Sequence, residues 1–147
     1  AQNLPKNFRF SEFGISAKES GTETFFLPAT KHGTSGSLLQ TEAVNANNSI
    51  TVNMKTFDDM TAEFGHKHID VLKMDIEGAE YDVLDSILNS EVTIDQILVE
   101  FHDRLFDMDV FKSTEIVAKM KAKGYHIFAS SISWEEISFI HERKLNA

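Results

Sequence analysis

The chain has 147 residues, 41% hydrophobic and 25% charged, enough for one globular domain burying on the order of 70% of its unfolded surface. It has no cysteine, which excludes a disulfide framework, a thiolate nucleophile and a cysteine-zinc site. The formal net charge of -9, from 23 acidic against 14 basic residues, argues against a nucleic-acid backbone or an anionic membrane as the main partner.

At the amino terminus, "AQNLPKNFRF" lacks the charged start and apolar core of a signal peptide, and no apolar run approaches the roughly 20 residues of a membrane span. A cytoplasmic protein is the expectation. Ala1 in place of an initiator Met fits a processed chain or a piece of a longer one.

"FRFSEFGIS" and "TETFFLP" read as short β-prone segments around the turn-like "AKESG". Residues 32–49, "HGTSGSLLQTEAVNANNS", read as a long loop, and "SITVNMK" alternates Ile50, Val52 and Met54 as a strand does. Thr56 with Asp59 resembles a capping box, Phe57, Met60 and Phe64 share a helical face, and Gly65 is a natural stop. "IDVLKMDI" then predicts a strand and "EGAEYDVLDSILN" a helix with Ala79, Val83, Leu84, Ile87 and Leu88 on one side. "IDQILVEFH" predicts another strand, Ser113 or Thr114 caps a helix ending at Gly124, and "YHIFASS" with "EISFIHE" forms a hairpin around Ser133 and Trp134. Strand, helix, strand, helix, strand implies crossover units, neighbouring parallel strands, and ligands outside their carboxyl ends.

Polar residues stand out at those ends. Strand alternation puts Lys73 and Asp75 on one face, and Glu100 and His102 share a face in the next strand. Asp75, Glu100 and His102 thus converge on one rim, where a functional reading outweighs that of satisfied strand-end groups. Lys73 reads first as a snorkelling structural lysine and second as an ion-pair partner of Asp75 or of another rim carboxylate. At 100° per residue Glu80 falls on the helix's apolar face, and with Glu77 it either satisfies free N–H groups of the first turn or serves the site. Gly78 fits a strand-to-helix turn that needs a special dihedral.

"VLKMDIEGAEYDVL" followed by "ILVEFH" closely resembles the FkbM family of S-adenosylmethionine-dependent methyltransferases. Lys73, Asp75, Glu77, Gly78, Ala79, Glu80, Val83 and Leu84 match its K-x-D-x-E-G-x-E-x-x-V-L pattern, and Glu100 follows at the right interval. Weaker similarity reaches "GISAKESGTETFFLP", "GTSGSLL" and "VNMKTFDDM" upstream, and "VAKMKAKGYHIF" and "ISFI" downstream. The resemblance implies a single α/β domain over residues 1–147: a Rossmann-like class I methyltransferase sheet, three-layer α/β/α, mostly parallel, with a carboxyl-terminal antiparallel hairpin. The family's glycine-rich E/D-x-G-x-G-type loop and its ribose-binding acidic residue have no counterpart, so the chain covers roughly the latter two thirds of that fold. The missing strands would leave an exposed apolar edge, to be filled by an amino-terminal segment or by another copy.

The activity so implied is methyl transfer from S-adenosylmethionine to a hydroxyl of a sugar, polyketide or other small metabolite. By the same resemblance Asp75, with Gly14 and Ile15, would hold the cofactor, and Asp75, Glu77, Glu100 and His102 would do the chemistry. Methyl transfer to oxygen needs two positioned reactants and one proton acceptor, for which His102, or a carboxylate through water, is the candidate. A divalent cation held by the Asp, Glu and His set is the second reading, since sequence spacing does not fix a coordination geometry. A noncatalytic α/β binding module that has lost its cofactor half, and a metal-dependent hydrolase, are the competing functions.

Overall fold

Two apolar runs, IDVLKM and IDQILV, form the parallel pair around which the chain is built. The computed structural model describes residues 5–29, 36–38, 44–106 and 112–145. Strands β1 (Gly14–Ser16), β2 (Gly21–Pro28) and β3 (Val44–Thr56) make one sheet in the order β1-β3-β2. Strands β4 (His68–Met74), β5 (Thr93–Glu100), β6 (Tyr125–Ser130) and β7 (Glu136–His141) make a second in the order β4-β5-β7-β6. Helices α1 (Phe57–Phe64), α2 (Glu80–Ile87) and α3 (Lys112–Ala122) complete a mixed α/β architecture. None is long and apolar enough to cross a membrane.

The crossover from β4 through α2 to β5 is as expected, with Ile69 opposite Ile94 and Met74 opposite Val99 in parallel register. A mostly parallel sheet is not observed. β7 enters between β5 and β6 antiparallel to both, so one pairing of the second sheet is parallel and two are antiparallel. The cause is the closing hairpin, whose return strand runs opposite to its partner and takes the place beside β5. Among the described residues β4 has a strand on one side only, and Val71 stands 51% exposed on it.

The expected loop over residues 32–49 is also corrected in part. Its first stretch lies largely outside the described residues, but Val44–Ser49 belong to β3 and pair antiparallel with β2, Ser49 opposite Phe26 and Val44 opposite Pro28. Asn-rich sequence is a poor strand former by itself, and ladder pairing overrides that weak preference. The amino-terminal β-prone segment contracts to β1, which pairs parallel with the end of β3.

Thr56 caps α1 by accepting the Asp59 N–H at 3.1 Å, and Gly65 closes the helix at φ 71°, a conformation glycine adopts without Cβ strain. The box is not reciprocal: Asp59 takes the Ser20 hydroxyl, and Ser20 Oγ accepts the Thr56 N–H at 3.2 Å. Helix α3 starts at Lys112, with Ser113 inside it rather than capping it, because the Asp103 carboxylate already accepts the Ser113 N–H at 3.1 Å and binds its hydroxyl. α2 buries Val83, Leu84 and Ile87 in a core with Ile94, Ile97, Phe101, Met120 and Phe139, each such side chain contributing about 1.5–3 kcal/mol.

Asp95 shows how the end of the chain is tied to β5. This buried carboxylate faces His68 Nε2 at 3.2 Å, Arg143 at 3.0 Å and Lys144 at 3.0 Å. Burial pushes its proton affinity up, but the hydrogen bonds from Lys144 and Arg143 prevail and hold its carboxyl below the ordinary range. A lowered native pKa stabilises the fold above the unfolded value near about 3.9, and the gain disappears as pH falls through the native value. Asp95→Asn is therefore expected to melt below the parent at pH 7, with the gap closing as the melts are repeated toward pH 3.

Candidate functional site

The turn from β4 into α2 is built on a carboxylate. Glu80, wholly buried, accepts the backbone N–H of Ile76 at 3.0 Å and of Gly78 at 2.9 Å. The same side chain meets His102 Nδ1 at 2.8 Å, across 22 residues of sequence. Because Glu80 already acts as an acceptor, it takes the Nδ1 hydrogen in this contact, and Nε2 faces the far side of the ring. Glu80 thus satisfies N–H groups of the turn that precedes α2, where the sequence reading expected those of the helix's first turn, and it also fixes the imidazole.

The turn itself is strained. Glu77 has φ 51°, in a region unfavourable to any residue with a Cβ, and Gly78 follows at φ 101°. The Ser37 hydroxyl donates to the Glu77 carbonyl at 3.1 Å, pinning the turn to the chain beside β2. This backbone aims the Glu77 carboxylate at the histidine.

His102 is 1% exposed. Around its Nε2 stand Glu77 Oε2 at 3.5 Å, Glu100 Oε1 at 3.7 Å and Asp75 Oδ1 at 3.8 Å. None is a hydrogen bond, and Nε2 is the buried side-chain polar atom left without a partner among the described residues. Lys73 Nζ lies 3.9 Å from Asp75 Oδ2 at the outer margin, the ion-pair position of its second reading. Asp75, Glu77, Glu100 and His102 thus come together at the carboxyl ends of β4 and β5. The Asp75 side chain is 44% exposed, while that of Glu100 is half-buried.

Asp75 and Glu77 also line a cavity of about 670 Å³ between the first sheet and the β4–α2 turn. Gly14 and Ile15 line the same cavity, so the two groups of sequence-selected residues face one space. Its remaining walls include Phe13, Phe25, Met54 and Ile76, apolar residues that sequence reasoning did not single out. No local signal could have found them, since sheet packing brings them in. Gly14 has a packing reason as well: a Cβ there would lie 2.6 Å from Met54 Sδ.

Behind the site, the Tyr81 hydroxyl donates to Asp103 Oδ1 at 2.8 Å, and the ring stacks on Phe101 with centroids 5.7 Å apart. Burial and then the Asp103 hydrogen bond push the phenol's pKa above its ordinary value, so it stays a proton donor that holds the chain following His102. A second acid and histidine group, His68, Asp70 and Asp95, differs in kind, because Arg143 and Lys144 already neutralise Asp95.

A family model described as the methyltransferase FkbM domain matches residues 9–127, a span that takes in the first sheet, β4, β5 and the whole cluster around His102 and ends within β6. Comparison with curated proteins and with solved structures gives no match.

Proposed function

The chain belongs to the FkbM methyltransferase family, and on that premise we propose that it is an S-adenosylmethionine-dependent O-methyltransferase acting on a hydroxyl of a sugar, polyketide or similar small metabolite. The observation that carries the proposal is the cavity shared by Gly14, Ile15, Asp75 and Glu77. Its volume lies in the range of small-molecule sites, and its walls are apolar with a few carboxylates. That chemistry suits an adenine ring joined to a cationic sulfonium and an ammonium group, so the residues fit the cofactor. When bound, S-adenosylmethionine supplies an electrophilic methyl group, which the acceptor oxygen takes as the carbon–sulfur bond breaks and the carbon–oxygen bond forms.

The chain's own contribution is position, charge and proton uptake. Asp75 stands where the cavity meets the rim and offers its carboxylate to the cationic end of the cofactor. Glu77 and Glu100 receive the hydroxyl of the acceptor. The proton lost by that hydroxyl passes first to one of these carboxylates, directly or through water, because the ring of His102 lies behind them. His102, buried behind the carboxylates, does not touch the acceptor in this reading.

The second sheet carries the carboxyl-terminal half of a class I methyltransferase arrangement in this reading, and the free edge of β4 is where a further strand would add, from another segment or a second copy. Incubation with methyl-labelled S-adenosylmethionine and a panel of sugar and polyketide alcohols tests the proposal. Label is expected on oxygen in at least one acceptor. Transfer confined to nitrogen or carbon acceptors would overturn O-methylation.

A further inference from the structure

We propose that Asp75, Glu77 and His102 form a binding site for one divalent first-row cation, with Nε2 of His102 as its nitrogen ligand and Glu100 beside it. Three independent observations converge on this. First, Nε2 is a buried ring nitrogen with no hydrogen-bond partner, and the contact between Nδ1 and Glu80 turns it toward the carboxylates. An imidazole fixed through one nitrogen by a buried carboxylate, with the other nitrogen free, is the arrangement that orients a metal-ligating histidine.

Second, the distances are those of atoms that share an ion rather than a proton. Nε2 stands 3.5 to 3.8 Å from each of three carboxylate oxygens, too far for hydrogen bonds. Two donors bound to one ion at about 2.0–2.2 Å are separated by about 3–4 Å. The ligand atoms of Asp75, Glu77 and His102 all lie within 4.8 Å of one another.

Third, the charge is not balanced. Asp75, Glu77 and Glu100 point at the ring with Glu80 behind it, and Lys73 reaches one of them, from outside, at 3.9 Å. Carboxylates gathered this closely repel each other, and a cation between them removes that repulsion. One imidazole with several carboxylates suits Mn²⁺ and its first-row neighbours better than Ca²⁺, which prefers all-oxygen sites. The strained φ of Glu77 gains a purpose here, since it turns that carboxylate inward.

The cation would lie beside the cavity, where a hydroxyl completing its coordination would be acidified. This role, though not the binding itself, rests on the transferase reading above.

The test is titration of the chelator-treated chain with Mn²⁺, followed by the loss of the free-ion paramagnetic resonance signal, with S-adenosylhomocysteine binding measured on the same samples. One Mn²⁺ per chain is expected, with affinity reduced on the order of tenfold or more in His102→Gln and in Glu77→Gln. Glu77→Gln keeps the size of the side chain, and it decides the matter if His102→Gln does not fold. No saturable Mn²⁺ binding, or unchanged affinity in a folded variant, overturns the cation site even if S-adenosylhomocysteine binds. Site-specific Mn²⁺ binding without S-adenosylhomocysteine binding upholds the cation site and removes the transferase role.

Discussion

Glu80→Leu is expected to destabilise the chain by about 3–5 kcal/mol, the scale for removing one partner of a buried polar pair. Leucine matches the apolar environment of that helix face, so the cost comes from what it strands. The N–H groups of Ile76 and Gly78 and the Nδ1 hydrogen of His102 would each lose their acceptor within the protein. Each stranded donor costs about 1–3 kcal/mol, against which the leucine recovers about 1.5–3 kcal/mol of apolar burial. Urea unfolding of the two proteins measures the difference directly. A leucine variant as stable as the parent would mean that the carboxylate does not hold the turn. Glu80→Gln keeps one acceptor oxygen and should fall between them.

The largest effect on activity is expected at Asp75. Its side chain is 44% exposed and its close basic neighbours among the described residues, His102 at 3.8 Å and Lys73 at 3.9 Å, are both beyond hydrogen-bond distance, so Asp75→Asn should change stability by less than about 1 kcal/mol. Methyl transfer should nevertheless fall on the order of 10²-fold or more, because this carboxylate stands at the junction of the cavity and the rim, where reactants are positioned. Single-turnover rates at saturating cofactor, with the melting temperature as control, give the comparison. Turnover at the parental rate would remove Asp75 from the site.

How much of this was legible in the sequence follows from the range of each interaction. The strand, turn and helix across Lys73 to Leu84, the caps of α1 and the β6–β7 hairpin rest on contacts between near neighbours, and local patterning found them. The parallel pairing of β4 with β5 followed from the crossover rule. The insertion of β7 beside β5 did not, because an apolar strand fits either position in a sheet. The strand at Val44–Ser49 was hidden for the opposite reason: its sequence looks like loop and only the partner strand recruits it.

In the site, alternation placed Asp75, Glu100 and His102 on one rim, and helical periodicity flagged Glu80 as misplaced. What could not be read was that the flagged residue and the rim histidine belong to each other, since 22 residues separate them. That pairing changes the role of His102. A ring buried behind three carboxylates is better placed to face an ion between them than to meet an acceptor. The cavity was less legible, as Phe25, Val52 and Met54 of the first sheet join its wall only through sheet packing.

The central claim is that this cavity holds S-adenosylmethionine against Asp75. Calorimetric titration of the 147-residue chain with S-adenosylhomocysteine, beside Asp75→Asn, tests it most directly. Saturable binding of one molecule per chain, weakened in the variant, is the predicted result. A folded chain that gives no binding heat, or a variant that binds as tightly as its parent, would contradict it.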